Sequence, residues 1–407
     1  MSELINQPEQ RLKQLLDFCR RLIAGENGNE LYQHYRPITD RVTATEAMEV
    51  LDLLLREGMP VAALKAWVPK ILNVFHRSLK AGEWEKPGEG HFLYYLMQEN
   101  RKAEALMQKI KGWSRQVFPD LQATHLKALK NSLHELRAYE SHYIKKENIL
   151  FPYLEQAFPG HRCLSVMWSF HDDFRNSLKV LDELLSRDKP DARLLSRELG
   201  RLFFVVLPLI FREEQIVFPV ALRAIPERLW QEMLNQSAEV GWCYIPEPEL
   251  RAGSAARPTS ASSLPQAGRD PSSLIDLETG VLLPEQIKWL LNTLPVDVTF
   301  IDENDEVRYF SGGEHRIFHR AKAIIGRKVQ NCHPPESVHM VEEIVNAFKN
   351  GSRDHADFWI SMKERFIHIR YFAVRDEEKQ YKGTLEVSQD VTEIRALEGQ
   401  RRLLEWK

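Results

Sequence analysis

The sequence predicts a mainly α protein. A helical N-terminal domain and an up-and-down four-helix bundle are followed by an α+β domain with an antiparallel sheet. Three observations predict it. Residues 85–245 hold four long segments with apolar residues at helical spacing, joined by short connections. Residues 251–273, RAGSAARPTSASSLPQAGRDPSS, lose almost every large apolar residue, which is the composition of a flexible linker. Beyond that break the pattern changes to strand-like alternation around polar turns. The expected boundaries are 1–84 for the first helical domain, 85–247 for the bundle, 248–275 for the linker, 276–395 for the α+β domain and 396–407 for a terminal helix.

In the first domain, RLKQLLDFCRRLIAG is amphipathic and ends at Gly25. TATEAMEVLDLLLREG opens on a threonine cap and ends at Gly58. MPVAALKAWVPKILNVFHRSL follows, with an interruption expected at Pro69. The bundle segments are HFLYYLMQENRKAEALMQKIKGW, HLKALKNSLHELRAYESHYIKKENILFPYLEQAF, CLSVMWSFHDDFRNSLKVLDELLS and DARLLSRELGRLFFVVLPLIFREEQIVFPVAL. In the third domain VDVTFIDENDEVRYFS reads as a hairpin turning at DEND. GRKVQNCHPPESVHMVEEIVNAFKNG contains a helix, and HADFWISM, RFIHIRYFAVR and KGTLEVSQDV read as strands. TEIRALEGQRRLLEWK reads as a charged amphipathic helix.

Composition narrows the function. The chain has 407 residues, 43% hydrophobic and 28% charged, with a net charge of −3. That balance argues against a general binder of nucleic acid or of membrane surfaces. Cys19, Cys163, Cys243 and Cys332 lie far apart, with no CxxC pair. They make neither a disulfide framework nor a zinc ribbon, and fit a reducing compartment. The polar start MSELINQPEQRLKQLL is not a signal peptide, so the expected location is cytoplasmic. LFFVVLPLIF is too short to span a bilayer and is expected to be broken by Pro208.

The chemistry concentrates in the bundle, which holds six of the fourteen histidines. Bundles of this kind build di-iron sites from histidines and glutamates facing inward from separate helices. The metal-ligand candidates are His91 on the first helix, His142 and Glu147 on the second, His171 on the third, and Glu213 and Glu214 on the fourth. A glutamate beside the apolar run before it is costly to bury without a metal or a charged partner. Two observations count against a simple site. His142 and Glu147 are five residues apart, about 140° around an α-helix. The better-placed position four residues on is Lys146, which does not ligate while protonated. The ordinary reading is that His91 caps its helix and that Glu147 and Glu214 pair with Lys145 or Arg212.

HYIKKENILFPYLE and FREEQIVFPVAL read as one sentence written twice, and both resemble helix endings of hemerythrin-like HHE cation-binding domains. RLIAGENGNELYQHYRPITDRVTATEAMEVLDLLLREGMPVAALK looks like the helical domain of unknown function, the 438 family, that precedes such bundles in one bacterial architecture. GRKVQNCHPPESVHMVEEIV, ADFWI, IRYFAVRDE and GTLEVSQDVTEIR look like the PAS sensor domain that follows them. The resemblance implies non-haem di-iron used in sensing, storage or repair. His142, His171 and Glu213 keep the residue types it implies. Asn100, Lys146 and Leu209 stand where it implies a histidine, a glutamate and a histidine, with His91, Glu99, Glu147 and Glu214 as candidate substitutes. In the N-terminal domain, WVPKI (67–71) stands where relatives carry Leu-Cys-Asp-Val-His.

For the PAS domain, Cys332-His333-Pro334 invites a haem reading with His333 as axial ligand; the alternative is a turn before two prolines. Three functional readings follow. In the leading one, iron in the bundle senses oxygen, nitric oxide or redox state and the PAS domain relays the change to a signalling partner. No kinase, cyclase or DNA-binding motif follows, so output is by protein–protein contact, including a homodimer through the PAS domain. In the second, a di-iron enzyme detoxifies a small oxidant. In the third, the chain is a metal-free interaction scaffold. Under the iron readings, His142→Ala lowers bound iron and leaves the fold largely intact.

Overall fold

The structure is a computed structural model that describes residues 7–118, 121–158, 162–248, 274–313, 316–362 and 364–400. The chain divides into two compact units, residues 1–250 and nearly all of residues 251–407. Most of the expected linker lies outside the described residues.

The first unit opens with α1 (Gln7–Ile23), α2 (Gly28–Thr39), α3 (Ala44–Arg56) and α4 (Val61–Ala81). Gly25 and Gly58 sit at φ +89° and +93°, where a residue with a Cβ is disfavoured, so they end α1 and α3 as expected. Thr43 caps α3 in a full capping box with Glu46. Pro69 departs from expectation, because α4 runs straight through it. Burial of Val68, Ile71, Leu72 and Phe75 against neighbouring helices outweighs the one hydrogen bond proline removes.

The bundle follows: α5 (Phe92–Val117), α6 (Ala123–Leu136), α7 (Glu140–Lys145), α8 (Phe151–Ala157), α9 (Leu164–Leu185), α10 (Ala192–Arg212), α11 (Phe218–Ala224) and α12 (Glu227–Val240). α5 packs on α6 and α10, and α9 packs on α6 and α10, which closes the four-helix ring. The N-terminal helices dock on it. Lys65 bridges to Asp173 at 2.8 Å, Cys163 N donates to Asp52 Oδ1 at 3.3 Å, and His76 stacks on Phe211.

The repeated sentence proves to be a repeated backbone device. Lys146–Leu150 and Glu213–Val217 are π-helical turns, each placed directly before Phe-Pro. The Phe151 amide donates to the Lys146 carbonyl and the Phe218 amide to the Glu213 carbonyl, five residues back. Pro152 and Pro219 have no N–H, and their rings crowd the carbonyls of Asn148 and Gln215. A wider turn absorbs both problems without breaking the helix.

The second unit is a five-stranded antiparallel sheet in the order β4-β3-β7-β6-β5. Its strands are β3 (Asp297–Asp302), β4 (Val307–Phe310), β5 (His355–Met362), β6 (Arg365–Arg375) and β7 (Tyr381–Asp390). A short hairpin, β1 (Ile275–Asp276) with β2 (Val281–Leu282), precedes it. Helices α13 (Pro284–Thr293) and α14 (Pro335–Lys349) complete the unit. The expected hairpin is β3–β4. Asp302 accepts from the amides of Asn304 and Glu306 to shape its turn. A small apolar core joins Ile301, Val307, Ile324, Val329 and Val345. The terminal helix is shorter than expected: α15 covers Thr392–Arg395 and residues 396–400 are not helical, while 401–407 lie outside the described residues.

Candidate functional site in the helical bundle

His142, Lys145 and Lys146 are spaced i, i+3, i+4, so they share one helix face, and Glu147 follows inside the π turn Lys146–Leu150. Lys145 and Lys146 are fully buried, as are His142, Glu99, Asn100, His171 and Glu213. Glu147 and Glu214 are almost so.

Two linked centres form. In the first, His142 Nδ1 lies 2.8 Å from Glu99 Oε2 and its Nε2 lies 3.0 Å from Glu213 Oε2. Lys145 Nζ donates to Glu99 Oε1 at 2.9 Å and to the Gly241 carbonyl at 2.7 Å, and its ammonium sits over the Trp242 ring. In the second, Lys146 Nζ donates to Glu213 Oε1 and lies 3.1 Å from His171 Nε2, under the Tyr143 ring. His171 Nδ1 faces Glu147 Oε1 at 2.7 Å, and Arg175 closes on the same carboxylate at 2.8 Å. Asn100 Nδ2 donates to Glu213 and Glu214, each at 3.2 Å, and its carbonyl oxygen accepts from the Tyr139 hydroxyl. Arg101 completes the set on Glu214.

The electrostatics follow from this pairing. Burial alone raises the Glu213 carboxyl, but Lys146 and His142 more than offset it and bring it to about 2. Burial also raises Glu99, and His142 with Lys145 holds it below the usual carboxylate range. Burial lowers Lys146, with Glu213 opposing. A carboxylate with three donors decides that pair: Glu213 is ionised and Lys146 is the ammonium facing it. Ionised carboxylates only accept, and both ring nitrogens of His142 face one, Nδ1 toward Glu99 and Nε2 toward Glu213. His171 is pushed well below its ordinary value by burial, and by Lys146 and Arg175. It is the neutral ring, donating from Nδ1 and accepting from Lys146 at Nε2.

The expected ligands therefore divide. His142, His171, Glu147, Glu213 and Glu214 do come together. His91 does not. It caps α5, its Nδ1 accepting from Leu93 N at 3.1 Å, and its ring packs on Trp230. Glu99, already in the cluster, is eight residues further along, about 12 Å of helix rise. The ordinary pairings are corrected too. Lys145 pairs with Glu99, Glu147 with Arg175, and Glu214 with Arg101, while Arg212 lies over the Phe170 ring and burial lowers it to about 10. Sequence reasoning missed Lys145, Lys146, Arg175 and Tyr139 as members of the site. The available signal was Lys146 standing where the resemblance implies a glutamate.

These residues do not fit a di-iron centre. The lone pairs iron needs on His171 Nε2 and Glu213 Oε1 are taken by the Lys146 ammonium, and both ring nitrogens of His142 are already engaged by Glu99 and Glu213. Among the described residues no group of three or more His, Cys, Asp or Glu side chains is arranged to hold a metal ion. The backbone of His333 is the one expected of a turn before two prolines. The residue follows the short 3-10 helix Val329–Cys332 in extended backbone, as a residue before proline should be. Burial lowers its ring to about 4, and the charges it senses are Glu386, Arg320 and Arg327.

A bundle with paired inward-facing charges and repeated π turns, followed by a five-stranded antiparallel sheet, defines a two-domain class. Residues 91–221 match the hemerythrin HHE cation binding domain family, and residues 287–392 match a PAS domain family. The chain thus joins a hemerythrin HHE domain to a PAS domain. Among solved structures, a C-terminal domain from Streptococcus mutans is 30% identical over 32% of this chain and 100% of its own, with a TM-score of 0.31. The PAS domain of a protein from Colwellia psychrerythraea is 18% identical over 27% of this chain and 97% of its own, at 0.22. The PAS domain of BvgS from Bordetella pertussis is 15% identical over 26% of this chain and 85% of its own, at 0.23. No curated protein matches. Among the described residues no helix is long and apolar enough to cross a membrane.

Proposed function

We propose that the protein is a sensory or regulatory protein that acts by protein–protein contact through its PAS domain, with the bundle as a folded helical platform. One observation carries this reading: an HHE bundle whose inward charges are already satisfied is joined to a PAS domain. Such a bundle offers no open coordination position at which a small oxidant would react. The partner we propose is a second copy of the chain. Among the described residues β5 is an edge strand of the sheet, and it carries exposed Phe358, Trp359 and Ile360. Edges of this kind pair with another chain.

Two measurements test the reading. The purified chain, supplied with oxygen, nitric oxide or hydrogen peroxide in turn, is expected to consume none above background. Sustained turnover would sink the regulatory reading in favour of the oxidant-removing enzyme. Sedimentation is expected to show concentration-dependent self-association that Trp359→Lys weakens. A wild-type chain monomeric at all accessible concentrations would remove the second copy as partner.

A further inference from the structure

We propose that this HHE bundle is built to work without metal, and that its own lysines supply the positive charge its buried carboxylates require. This goes beyond the regulatory reading and does not depend on it.

Four carboxylates, of Glu99, Glu147, Glu213 and Glu214, are buried in one core. Buried carboxylates persist only when paired or bound to a cation. Here each has a protein cation: Lys145 for Glu99, Lys146 for Glu213, Arg175 for Glu147 and Arg101 for Glu214. His142 joins Glu99 to Glu213.

The position of Lys146 decides the matter. Its Nζ meets Glu213 from the fourth bundle helix and His171 from the third, while its own backbone is on the second. That is a point where three helices present donor atoms inward, and an ammonium holds it. The Tyr143 face, 4.4 Å from Nζ, closes it from the side. Lys145 has the same kind of seat, with a carboxylate, a backbone carbonyl and the Trp242 face. Both seats give a lysine donors' partners and an aromatic face, so neither ammonium is stranded.

A metal ion entering this core would have to displace a fully buried ammonium from its partners on two other helices. Asn100 and Leu209 agree with the same design. The amide bridges Glu213 and Glu214, and Leu209 is fully buried as ordinary apolar core.

The test uses the full chain, expressed in iron-supplemented medium, purified anaerobically and then dialysed separately against excess ferrous, manganous and zinc ions. Elemental analysis should find far less than one ion per chain. The bundle's thermal midpoint should not move with any of the three ions or with a chelator. One or two ions per chain, with a midpoint raised by metal and lowered by chelator, would overturn the proposal. Lys146→Met and Lys146→Glu test the role of the ammonium. Lys146→Met should lower the midpoint, and no metal should restore it. Lys146→Glu should also lower it, and a divalent ion should restore part of the loss. A Lys146→Met chain as stable as the wild type would mean the ammonium neutralises nothing, which also overturns the proposal. Should a variant fail to fold, the wild-type metal measurements still decide.

Discussion

At the scale of single residues, a buried charge is read by what stands opposite it. His142, His171 and Glu213 were legible through the family resemblance, because they keep the residue types it implies. Lys145 and Lys146 were not, because lysine is normally solvated and its burial depends on partners far away in the chain. Glu99 and Gly241 for one, and Glu213 and His171 for the other, become neighbours only on folding. His91 misled for the opposite reason. Histidine suits both a ligand and a cap, and only the backbone decides between them. The iron reading and the ion-pair reading differ sharply at His142. Replacing it with alanine leaves Glu99 and Glu213 without their shared partner. Breaking a buried pair of this kind costs about 3–5 kcal/mol. His142→Ala is therefore expected to lower the denaturant midpoint of the helical unit strongly while metal content stays unchanged. A stable variant with altered metal content would support a ligand role instead.

At the scale of elements, periodicity carried most of the reading. The four bundle helices, the β3–β4 hairpin and strands β5 to β7 follow from apolar spacing alone. Prolines were the weak point. Pro69 and Pro208 lie inside continuous helices, and Pro152 and Pro219 mark π turns, an outcome that propensity does not distinguish from a helix end. The five-residue spacing does not make His142 and Glu147 partners: His142 meets Glu99 and Glu213, while Glu147, at the start of the π turn, meets His171 and Arg175. Among strands, Gly383 in β7 makes a sharp demand. Its φ is +152°, and an added Cβ would lie 2.1 Å from the Ile301 carbonyl oxygen and 2.8 Å from the Phe300 ring. Both obstacles belong to β3, the neighbouring strand, so relief requires separating the β3–β7 ladder. Gly383→Ala is expected to destabilise the PAS domain by about 3 kcal/mol or more, combining strain with overpacking. Equilibrium unfolding followed by a sheet-specific signal checks this, and the helical unit's transition should stay in place. An unshifted PAS transition would mean that β7 moves more freely than its register implies.

At the scale of the whole molecule, two units with separate cores predict two unfolding transitions rather than one. Acid should act on each through its own groups, and His333 gives the PAS domain a signature. Its folded ring titrates near 4 because burial disfavours the charged form, while the unfolded ring titrates near 6.5. Above about pH 6.5 both states are neutral there, and His333 contributes no pH dependence. As pH falls from about 6.5 toward 4, the unfolded chain takes up a proton that the folded domain refuses. The PAS domain then loses stability, by at most about 1.4 kcal/mol per pH unit from this group. Below about 4 the folded ring is protonated too and the loss levels off. His333→Asn removes the titration and should flatten the PAS transition between pH 6.5 and 4, leaving the acid response of the helical unit as it was. Thermal unfolding of wild type and variant across that range, with both transitions resolved, makes the comparison. If the two proteins show the same slope for the PAS transition, burial does not hold the His333 ring neutral, and its environment in the folded domain is more open than its position beside Glu386, Arg320 and Arg327 implies.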